Sequence, residues 1–305
     1  MTIWNRISRL SARAAPNALH ARKAFPAQGR RRLSTTDAGG YMFTGKGPRR
    51  GSPVLLLTGA CGQVGQELLP YLRSVYGMQN VIATDVRSAP REMVDAGPFN
   101  YLDVTQYEQL ARVVLENGVT HIVHLAALLS ATGERNPQLA LKVNSDGIIN
   151  VLEMARLNGL KVFSPSTIAV FGPSTPRELT PDETVMRPTT IYGVTKVHLE
   201  LLGEYYHQKY AVDFRSLRYP GVISSAAMPG GGTTDYAVEI YHDALRKGTY
   251  KCFLDKGTML PMMYMPDLLA ATVGMMEAPE SKLTQRIYNI GSMSFSPEDV
   301  EESIQ

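Results

Sequence analysis

The stretch VLLLTGACGQVGQEL constrains the fold of this chain more strongly than any other. An apolar run at 54–58 leads into three glycines, Gly59, Gly62 and Gly65, and a helical pattern continues over 62–76. In a dinucleotide-binding βαβ unit the first glycine permits a tight turn, the second lets the backbone approach a pyrophosphate, and the third allows close helix packing. The helix start aims free N–H groups at the phosphates. The stretch therefore predicts a strand, loop and helix that cradle a dinucleotide.

An acidic residue at the end of the next strand refines this prediction. Asp85 closes the segment NVIATD, 20 residues after Gly65. A carboxylate there accepts hydrogen bonds from the adenosine ribose and repels a 2′-phosphate, which favours NAD over NADP, although Arg87 can moderate the repulsion. Asp103 follows another short extended segment, where it either touches the adenine or caps the helix that begins near Thr105.

Strand-like and helix-like segments alternate along the middle of the chain. Strand patterns occupy 54–58, 80–85, 121–127, 161–166 and 213–219, and helical patterns occupy 62–76, 105–118, 137–158 and 190–210. This alternation predicts an α/β fold with a Rossmann-like, doubly wound parallel sheet covered on both faces. We assign this dinucleotide-binding domain to residues 51–220.

The pattern changes after residue 220. Loops rich in Pro and Gly interrupt it, and short strands are predicted at YKCFL (250–254) and LPMMYM (260–265). We expect residues 221–305 to form a smaller mixed α/β lobe over the carboxyl edge of the sheet, where ligands of open α/β sheets bind.

Residues 1–50 differ in composition from the rest. They contain eleven Lys or Arg residues and a single acidic one, Asp37, and Trp4, Ile7 and Leu10 can share one helical face. This composition predicts a mitochondrial transit peptide, cleaved near residues 32–36, and a matrix location. The alternative is a disordered basic tail.

The remaining sequence excludes several classes of protein. Beyond residue 50 there are 20 basic and 27 acidic residues, so the basic excess does not indicate a nucleic-acid partner. No run of about 18 apolar residues predicts a membrane span. The two cysteines, Cys61 and Cys252, are too few for a disulfide framework, and we expect both to be reduced thiols. We expect no metal site.

The stretch TTIYGVTKVHLELL carries a candidate catalytic pair. Tyr192 and Lys196 are four residues apart, so their side chains share one face of a helix. A free phenol ionises at about pH 10, too high for a base at neutral pH. A nearby ammonium and an oxidised nicotinamide ring favour phenolate. We expect Lys196 to lower the pKa of Tyr192, which then accepts a proton from a substrate hydroxyl.

A cluster of hydroxyls in KVFSPSTIAVFG supplies a third candidate. Ser164, Ser166 and Thr167 lie at the end of the strand predicted at 161–166. One of them is expected at the carboxyl edge of the sheet, where it donates to the reacting oxygen. The position before VFG favours Thr167, with Ser166 as the alternative, and capping of the strand end is a purely structural explanation.

Taken together, TGACGQVG, Asp85, HLAA, STIAVFG and YGVTK resemble the extended short-chain dehydrogenase/reductase superfamily, in the same order along the chain. Within it, HLAALLSATGE, PGVISSAAMPGGGTTDYAVEIY and LPMMYMPD are similar to a branch that oxidises a hydroxy amino acid. The resemblance implies NAD-dependent oxidation of the C3 hydroxyl of L-threonine to 2-amino-3-ketobutyrate. It also implies a homodimer and a functional link to the enzyme that consumes this product.

The resemblance assigns roles to individual residues. Tyr192 is the implied proton acceptor, Lys196 holds the nicotinamide ribose, and Thr167 polarises the substrate hydroxyl. The implied NAD contacts are Gly59, Ala60, Cys61, Gly62, Gln63, Val64, Gly65, Asp85, Val86, Arg87, Asp103, Val104, Leu125, Ala126, Tyr192, Lys196 and Val222. The implied amino-acid contacts are Ser130, Ser166, Thr167, Tyr192, Thr233, Thr234 and Asp235. Asp235 can pair with an ammonium group, or it can serve as an acidic residue of the first helical turn.

Two other functions fit parts of the pattern. A nucleotide-sugar epimerase or dehydratase uses the same Thr, Tyr and Lys machinery, but residues 220–270 show no clear cluster of basic residues for a sugar diphosphate. A catalytically silent NAD-binding protein is the second alternative. Ser296, Pro297 and Asp299 in SFSPEDVEESIQ predict the start of a helix. Because members of the superfamily usually continue beyond this point, we expect a shortened carboxyl end.

Overall fold

The computed structural model describes residues 51–225, 232, 234–291 and 293–304. Its helices are α1 (Gln63–Tyr76), α2 (Arg91–Asp95), α3 (Tyr107–Asn117), α4 (Ser130–Arg135), α5 (Pro137–Leu141), α6 (Gly147–Asn158), α7 (Ile191–Tyr210), α8 (Tyr236–Lys247), α9 (Met265–Glu277) and α10 (Pro297–Ile304). Its strands are β1 (Leu55–Thr58), β2 (Val81–Asp85), β3 (Phe99–Tyr101), β4 (His121–His124), β5 (Lys161–Phe163), β6 (Ser166–Thr167), β7 (Asp213–Tyr219), β8 (Gly221–Ile223), β9 (Leu260–Tyr264), β10 (Ile287–Asn289) and β11 (Met293–Phe295). The transit-peptide prediction for residues 1–50 lies outside the described residues.

The large sheet is parallel, with the strand order β10-β7-β5-β4-β1-β2-β3 and with β6 also paired to β7. Strands β2 and β3 lie on one side of β1, and β4, β5, β7 and β10 lie on the other side. The direction of the strand order therefore reverses at β1, and such sheets bind ligands outside the carboxyl ends of the strands at this switch point. Thr58 at the end of β1 pairs in register with Thr84 and with His124. The prediction of a Rossmann-like, doubly wound α/β fold is confirmed.

Strand β1 shows how the core is built on both faces of the sheet. Leu55 and Leu57 pack with residues of α1 and α9, whereas Leu56 packs on the opposite face with residues of α3 and α6. Successive side chains of a strand point to opposite faces, so a strand covered on both sides must be apolar at every position. All three leucines are fully buried. The VLLL run is therefore a central strand.

Two predicted elements are interrupted. The predicted strand at 161–166 consists of β5 and β6, separated at Ser164 and Pro165. Proline has no N–H group to donate to a ladder. The predicted helix at 137–158 contains a π-helical turn at Lys142–Asp146, and such turns often occur at functional sites.

The chain beyond residue 220 contributes to two sheets. Strands β8, β9 and β11 form a small mixed sheet, in which β9 is parallel to β8 and antiparallel to β11. Helix α9 and strand β10 return to the large sheet. The strand predicted at 260–265 is confirmed by β9. The boundary at residue 220 stays a prediction.

The strand predicted at 250–254 is wrong. These residues have no regular structure, although Cys252 and Leu254 pack against buried residues of α8 and β9. The alternating apolar pattern therefore reflects one packed side of an irregular segment. No backbone ladder accompanies it.

The predicted start of a helix at Pro297 is confirmed by α10. The Ser296 hydroxyl accepts a hydrogen bond from the Asp299 N–H at 3.3 Å, and the Ser296 N–H donates to the Asp299 carboxylate at 2.7 Å. This reciprocal arrangement satisfies two backbone donors at the helix start.

The two cysteines are free thiols, as predicted, with Cys61 buried and Cys252 half-buried. Among the helices of the described ranges, none is long and apolar enough to cross a membrane. The same residues contain no group of His, Cys, Asp and Glu side chains arranged to hold a metal ion.

Candidate active site

The glycine loop is shaped by close contacts between backbone segments. Gly59 has a φ of +74°, and a Cβ atom on it would lie 2.8 Å from the Ala126 nitrogen. A Cβ on Gly65 would lie 2.4 Å from the Gly59 carbonyl oxygen. At Gly62, before the first residue of α1, the nearest atom would be 3.2 Å away and the next 3.9 Å. Gly59 and Gly65 are therefore required by packing, whereas Gly62 leaves room for a close ligand, as a bound pyrophosphate requires.

Asp85 lies beside this loop. Its carboxylate accepts hydrogen bonds from the Cys61 and Arg87 N–H groups, both at 2.9 Å. The Arg87 guanidinium approaches the same carboxylate at 3.3 Å, yet this side chain is 59% exposed. The two N–H groups therefore fix Asp85 beside the loop. The exposed guanidinium of Arg87 partly balances the negative charge of Asp85.

Several other predicted NAD contacts surround the glycine loop. Ala126 follows β4 and faces Gly59, and the Leu125 N–H donates to the Thr58 carbonyl at 3.1 Å. Val222 lies in β8, half-buried against the same core as β1. The remaining positions are within the loop, at the start of α1 or in the segments after β2 and β3: Ala60, Gln63, Val64, Val86 and Val104.

Asp103 caps the turn that precedes α3. Its carboxylate accepts from the Thr105 N–H at 2.9 Å and from the Thr105 hydroxyl at 2.8 Å. This geometry agrees with the capping alternative. The two contacts leave its second carboxylate oxygen available, so a contact with adenine stays a prediction.

Tyr192 and Lys196 lie one turn apart near the start of α7. The Lys196 ammonium is buried, lies 5.7 Å from the centroid of the Tyr192 ring, and donates to the Pro165 carbonyl at 2.7 Å. Pro165 belongs to the interruption between β5 and β6. The helix and the strand interruption thus bring the predicted pair to the carboxyl edge of the sheet.

The expected lowering of the Tyr192 pKa by Lys196 is not what this geometry produces. Burial raises the pKa of Tyr192 to about 12, and a hydrogen bond with Thr167 opposes the rise. Burial also lowers the pKa of Lys196 to about 8, while the Glu200 charge acts in the other direction. Removal from water is the largest cause of both shifts, because burial penalises the charged form of each group.

The three candidate hydroxyls have separate partners. Ser164 donates to the His124 carbonyl at 3.0 Å, and Ser166 donates to the Glu200 carboxylate. Thr167, half-buried at the end of β6, accepts from the Ala169 N–H at 3.2 Å, and it is the one of the three hydroxyls that acts to lower the pKa of Tyr192. The geometry favours Thr167 over Ser166 as the hydroxyl that acts on a substrate.

Sequence reasoning missed Asn144, which connects the elements around the pair. Its amide accepts from the Leu128 N–H at 2.8 Å, and it donates to the Leu128 carbonyl at 3.1 Å and to the Thr195 hydroxyl at 3.0 Å. Asn144 is buried within the π-helical turn. An asparagine within the predicted helix at 137–158 is the one feature of the sequence at this position, and it does not by itself show that the side chain is buried and paired.

His124, at the end of β4, is a second buried polar group that sequence reasoning did not assign. Its Nδ1 lies 2.9 Å from the Thr58 hydroxyl. Burial, together with the Lys196 charge, lowers the pKa of His124 to about 3. The imidazole is therefore neutral at physiological pH and adds no positive charge beside Lys196.

Besides Ser166, Thr167 and Tyr192, the predicted amino-acid contacts include Ser130 on α4 and residues that precede α8. Ser130 begins α4, whose Glu134 carboxylate accepts from the Ile191 N–H at 2.8 Å and so joins α4 to the start of α7. Thr234 lies against β8, since a Cβ on Gly221 would be 2.7 Å from it. The Asp235 carboxylate accepts from the Gly232 N–H at 2.7 Å. Thr233 lies outside the described residues.

Comparisons with known proteins agree with this geometry. Residues 55–291 match the NAD dependent epimerase/dehydratase family. The mitochondrial L-threonine 3-dehydrogenase of Bos taurus is 50% identical over 250 residues, which cover 82% of this chain and 67% of the bovine protein. The crystal structure of L-threonine dehydrogenase from Phytophthora infestans has a TM-score of 0.79 and 58% identity, over 83% of this chain and 81% of that chain. The holo form of the GalE-like L-threonine dehydrogenase from Cupriavidus necator has a TM-score of 0.80 and 49% identity, over 83% and 82%.

Two alanine substitutions separate the roles of the loop glycines. We expect Gly65→Ala to lower the free energy of unfolding by about 1–3 kcal/mol, because its methyl group overlaps the Gly59 carbonyl. Gly62→Ala should lower that free energy by less than Gly65→Ala does, because its methyl group would lie 3.2 Å, and not 2.4 Å, from the Gly59 carbonyl oxygen. It should nevertheless weaken NADH binding about tenfold, since the methyl group occupies the approach to the phosphates. Urea unfolding and NADH fluorescence titration measure these effects, and equal NADH affinity for Gly62→Ala and wild type would contradict the assignment.

Proposed function

Since the chain belongs to the NAD dependent epimerase/dehydratase family, we propose that it oxidises the C3 hydroxyl of L-threonine to 2-amino-3-ketobutyrate with NAD. The observation that carries this proposal is the cluster of Tyr192, Lys196 and Thr167 at the carboxyl edge of the sheet. Relatives named as L-threonine dehydrogenases match 82% and 83% of the chain, which supports the same reaction.

Each member of the cluster has a distinct task in this reaction. Bound NAD supplies the acceptor for the hydride that leaves C3. Tyr192 accepts the hydroxyl proton, and Thr167 donates a hydrogen bond to the reacting oxygen and orients it. Lys196 is held by the Pro165 carbonyl, where its ammonium favours the phenolate and contacts the nicotinamide ribose. The high resting pKa of Tyr192 keeps the phenol protonated until further positive charge enters the pocket.

The remaining residues bind the two reactants. The backbone at Gly62 and the start of α1 hold the pyrophosphate, and Asp85 accepts from the adenosine ribose. Asp235 pairs with the ammonium group of threonine, with Ser130, Thr233 and Thr234 around the same head group. Both reactants then meet beside Tyr192.

Substitution of Tyr192 tests the proposed reaction. Tyr192→Phe removes only the proton-accepting oxygen, so the turnover number with L-threonine and NAD should fall at least about 100-fold. The NADH dissociation constant should stay within about threefold of the wild-type value, because the ring remains in place. NADH absorbance and fluorescence measure the two quantities.

Tyr241→Phe is the control, because Tyr241 lies on α8, outside the catalytic cluster, and is 44% exposed. This variant should retain wild-type turnover. If wild type turned over a UDP-sugar but not threonine, the proposed substrate would be wrong. If wild type bound NADH and turned over neither, the protein would be catalytically silent.

We also propose a homodimer formed through α6 and α7. Val194, Leu201 and Tyr205 share one face of α7 and are 45%, 57% and 51% exposed, and Leu157 on the neighbouring α6 is 58% exposed. On the same face, the Nδ1 atom of His198 is buried without a hydrogen-bond partner in the described part of the chain. A second copy would cover these apolar side chains and offer His198 a partner.

A charged residue within this face should separate the subunits. We expect Leu201→Glu to convert the dimer into a monomer, because each interface would bury two unpaired carboxylates. Leu245→Glu is the control, since Leu245 on α8 is 89% exposed outside this face. Sedimentation equilibrium measures the mass, and a dimeric Leu201→Glu protein would argue against this interface.

We propose a mitochondrial matrix location, directed by residues 1–50. The support is their basic, acid-poor composition and the mitochondrial names of similar curated proteins. This segment fused to a fluorescent protein should enter mitochondria and resist external protease. The same fusion with Arg6, Arg9 and Arg13 changed to Glu should remain outside. Import of both fusions, or of neither, would contradict the proposal.

A further inference from the structure

The carboxylate of Glu200 accepts a hydrogen bond from Ser166, the residue before Thr167, and Glu200 lies one turn after Lys196 on α7. We propose that Glu200 is a positioning residue for the proposed oxidation: it anchors the strand end that carries Thr167 and keeps Lys196 in its ammonium form. This inference rests on the proposed function. It concerns a residue that contacts neither the reacting atoms nor the cofactor.

The first line of evidence is a buried hydrogen-bond network. One Glu200 oxygen accepts from the Ser166 hydroxyl and from Arg218 Nε at 2.9 Å, and the other accepts from Arg218 Nη2 at 2.8 Å. Glu200 is 1% exposed and Arg218 is 4% exposed. Because Ser166 directly precedes Thr167 in β6, the carboxylate fixes the backbone from which the Thr167 hydroxyl is presented.

Arg218 is itself held in several directions. Its Nη1 donates to the Asp182 carbonyl at 2.7 Å and to the Asn289 side chain at 3.0 Å, and its guanidinium lies 5.4 Å from the Phe171 ring centroid. These contacts span β7, β10 and the segment between β6 and α7. Glu200 is therefore attached to a rigid support, which a positioning group requires.

The second line of evidence is the placement of charge along α7. Glu200 lies one turn after Lys196, just as Lys196 lies one turn after Tyr192. Burial lowers the pKa of Lys196 and the Glu200 carboxylate opposes this effect. The other groups near Lys196 are His124 on β4, which is neutral, and Tyr192, which is protonated at rest. Glu200, paired with Arg218 on β7, is thus the anionic group that favours the ammonium.

Removal of the Glu200 charge should lower the pKa of Lys196. Without the negative charge of Glu200, Lys196 would lose its proton at a lower pH than in wild type. A neutral amine no longer favours the phenolate of Tyr192. Glu200→Gln keeps the shape and one acceptor oxygen, so it removes the charge while the contact with Ser166 can persist.

The experiment compares Glu200→Gln, Ser166→Ala and Glu204→Gln with wild type. Glu204 is the matched control, because it lies one turn beyond Glu200 near the same ion pair and has no contact with Ser166. We expect Glu200→Gln to lower kcat about tenfold, change the KM for threonine less than about threefold, and move the alkaline decline of kcat to lower pH. Ser166→Ala should lower kcat without moving that decline, and Glu204→Gln should keep kcat within about twofold.

A readout without substrate separates this proposal from the proposed function. The Lys196 ammonium can be titrated by carbon NMR on protein with labelled lysine, assigned with Lys196→Arg. Its midpoint should fall at least about half a pH unit in Glu200→Gln and stay unchanged in Glu204→Gln. If wild type fails to oxidise threonine but this shift appears, the proposed function is wrong and the charge effect stands. If the midpoint and the kcat profile of folded, NADH-binding Glu200→Gln match wild type, or if Glu200→Gln does not fold and Ser166→Ala retains wild-type kcat, the positioning role is refuted.

Discussion

Buried hydrogen bonds between α7 and the carboxyl ends of the parallel strands determine the geometry on which the rest of the site depends. Lys196 reaches the Pro165 carbonyl, Thr195 reaches Asn144, and Glu200 reaches Ser166. Two of these bonds join the helix to consecutive residues at the break between β5 and β6, and the third joins it to the π-helical turn, so the helix cannot slide or rotate without leaving a buried polar group unpaired. The helix carrying Tyr192 is therefore positioned by polar contacts, while the apolar core on both sheet faces supplies most of the driving force for folding.

The same burial has an electrostatic cost that bears on reactivity. A phenol with a pKa of about 12 and an ammonium with a pKa of about 8 are each displaced toward their neutral forms. Positive charge added to the pocket would therefore favour the phenolate form of Tyr192. Loss of negative charge near Lys196 would favour its neutral amine form. Tyr192 thus becomes an effective base only when positive charge enters the pocket. This behaviour suits a base that is required only when both reactants are bound.

The fold was largely predictable, because its signals are local. Each of three local signals reflects a structural requirement that few other residue types satisfy: the VLLL run, the glycine spacing and Asp85. The structure places all three together at the switch point. The sequence favoured Thr167 over Ser166 only from its position before VFG, because a strand pattern does not reveal how the interruption at Pro165 orients each hydroxyl. Nor could it reveal Asn144 or Glu200, whose partners are at least 16 residues away along the chain. The mistaken strand at 250–254 arose because one packed side of an irregular segment shows the same alternation as a strand.

The interruption at Pro165 explains how three neighbouring hydroxyls acquire different tasks. Because proline donates no N–H, the ladder between β5 and β7 is broken there and resumes only at β6. At this break the Pro165 carbonyl accepts a hydrogen bond from Lys196. The hydroxyls on either side of Pro165 bond to buried groups: Ser164 donates to the His124 carbonyl, and Ser166 donates to the Glu200 carboxylate. Thr167 lies at the end of the strand, and its hydroxyl is the one of the three that acts on the pKa of Tyr192. A continuous strand in place of the break would leave Lys196 without this acceptor, and a buried ammonium without an acceptor would release its proton.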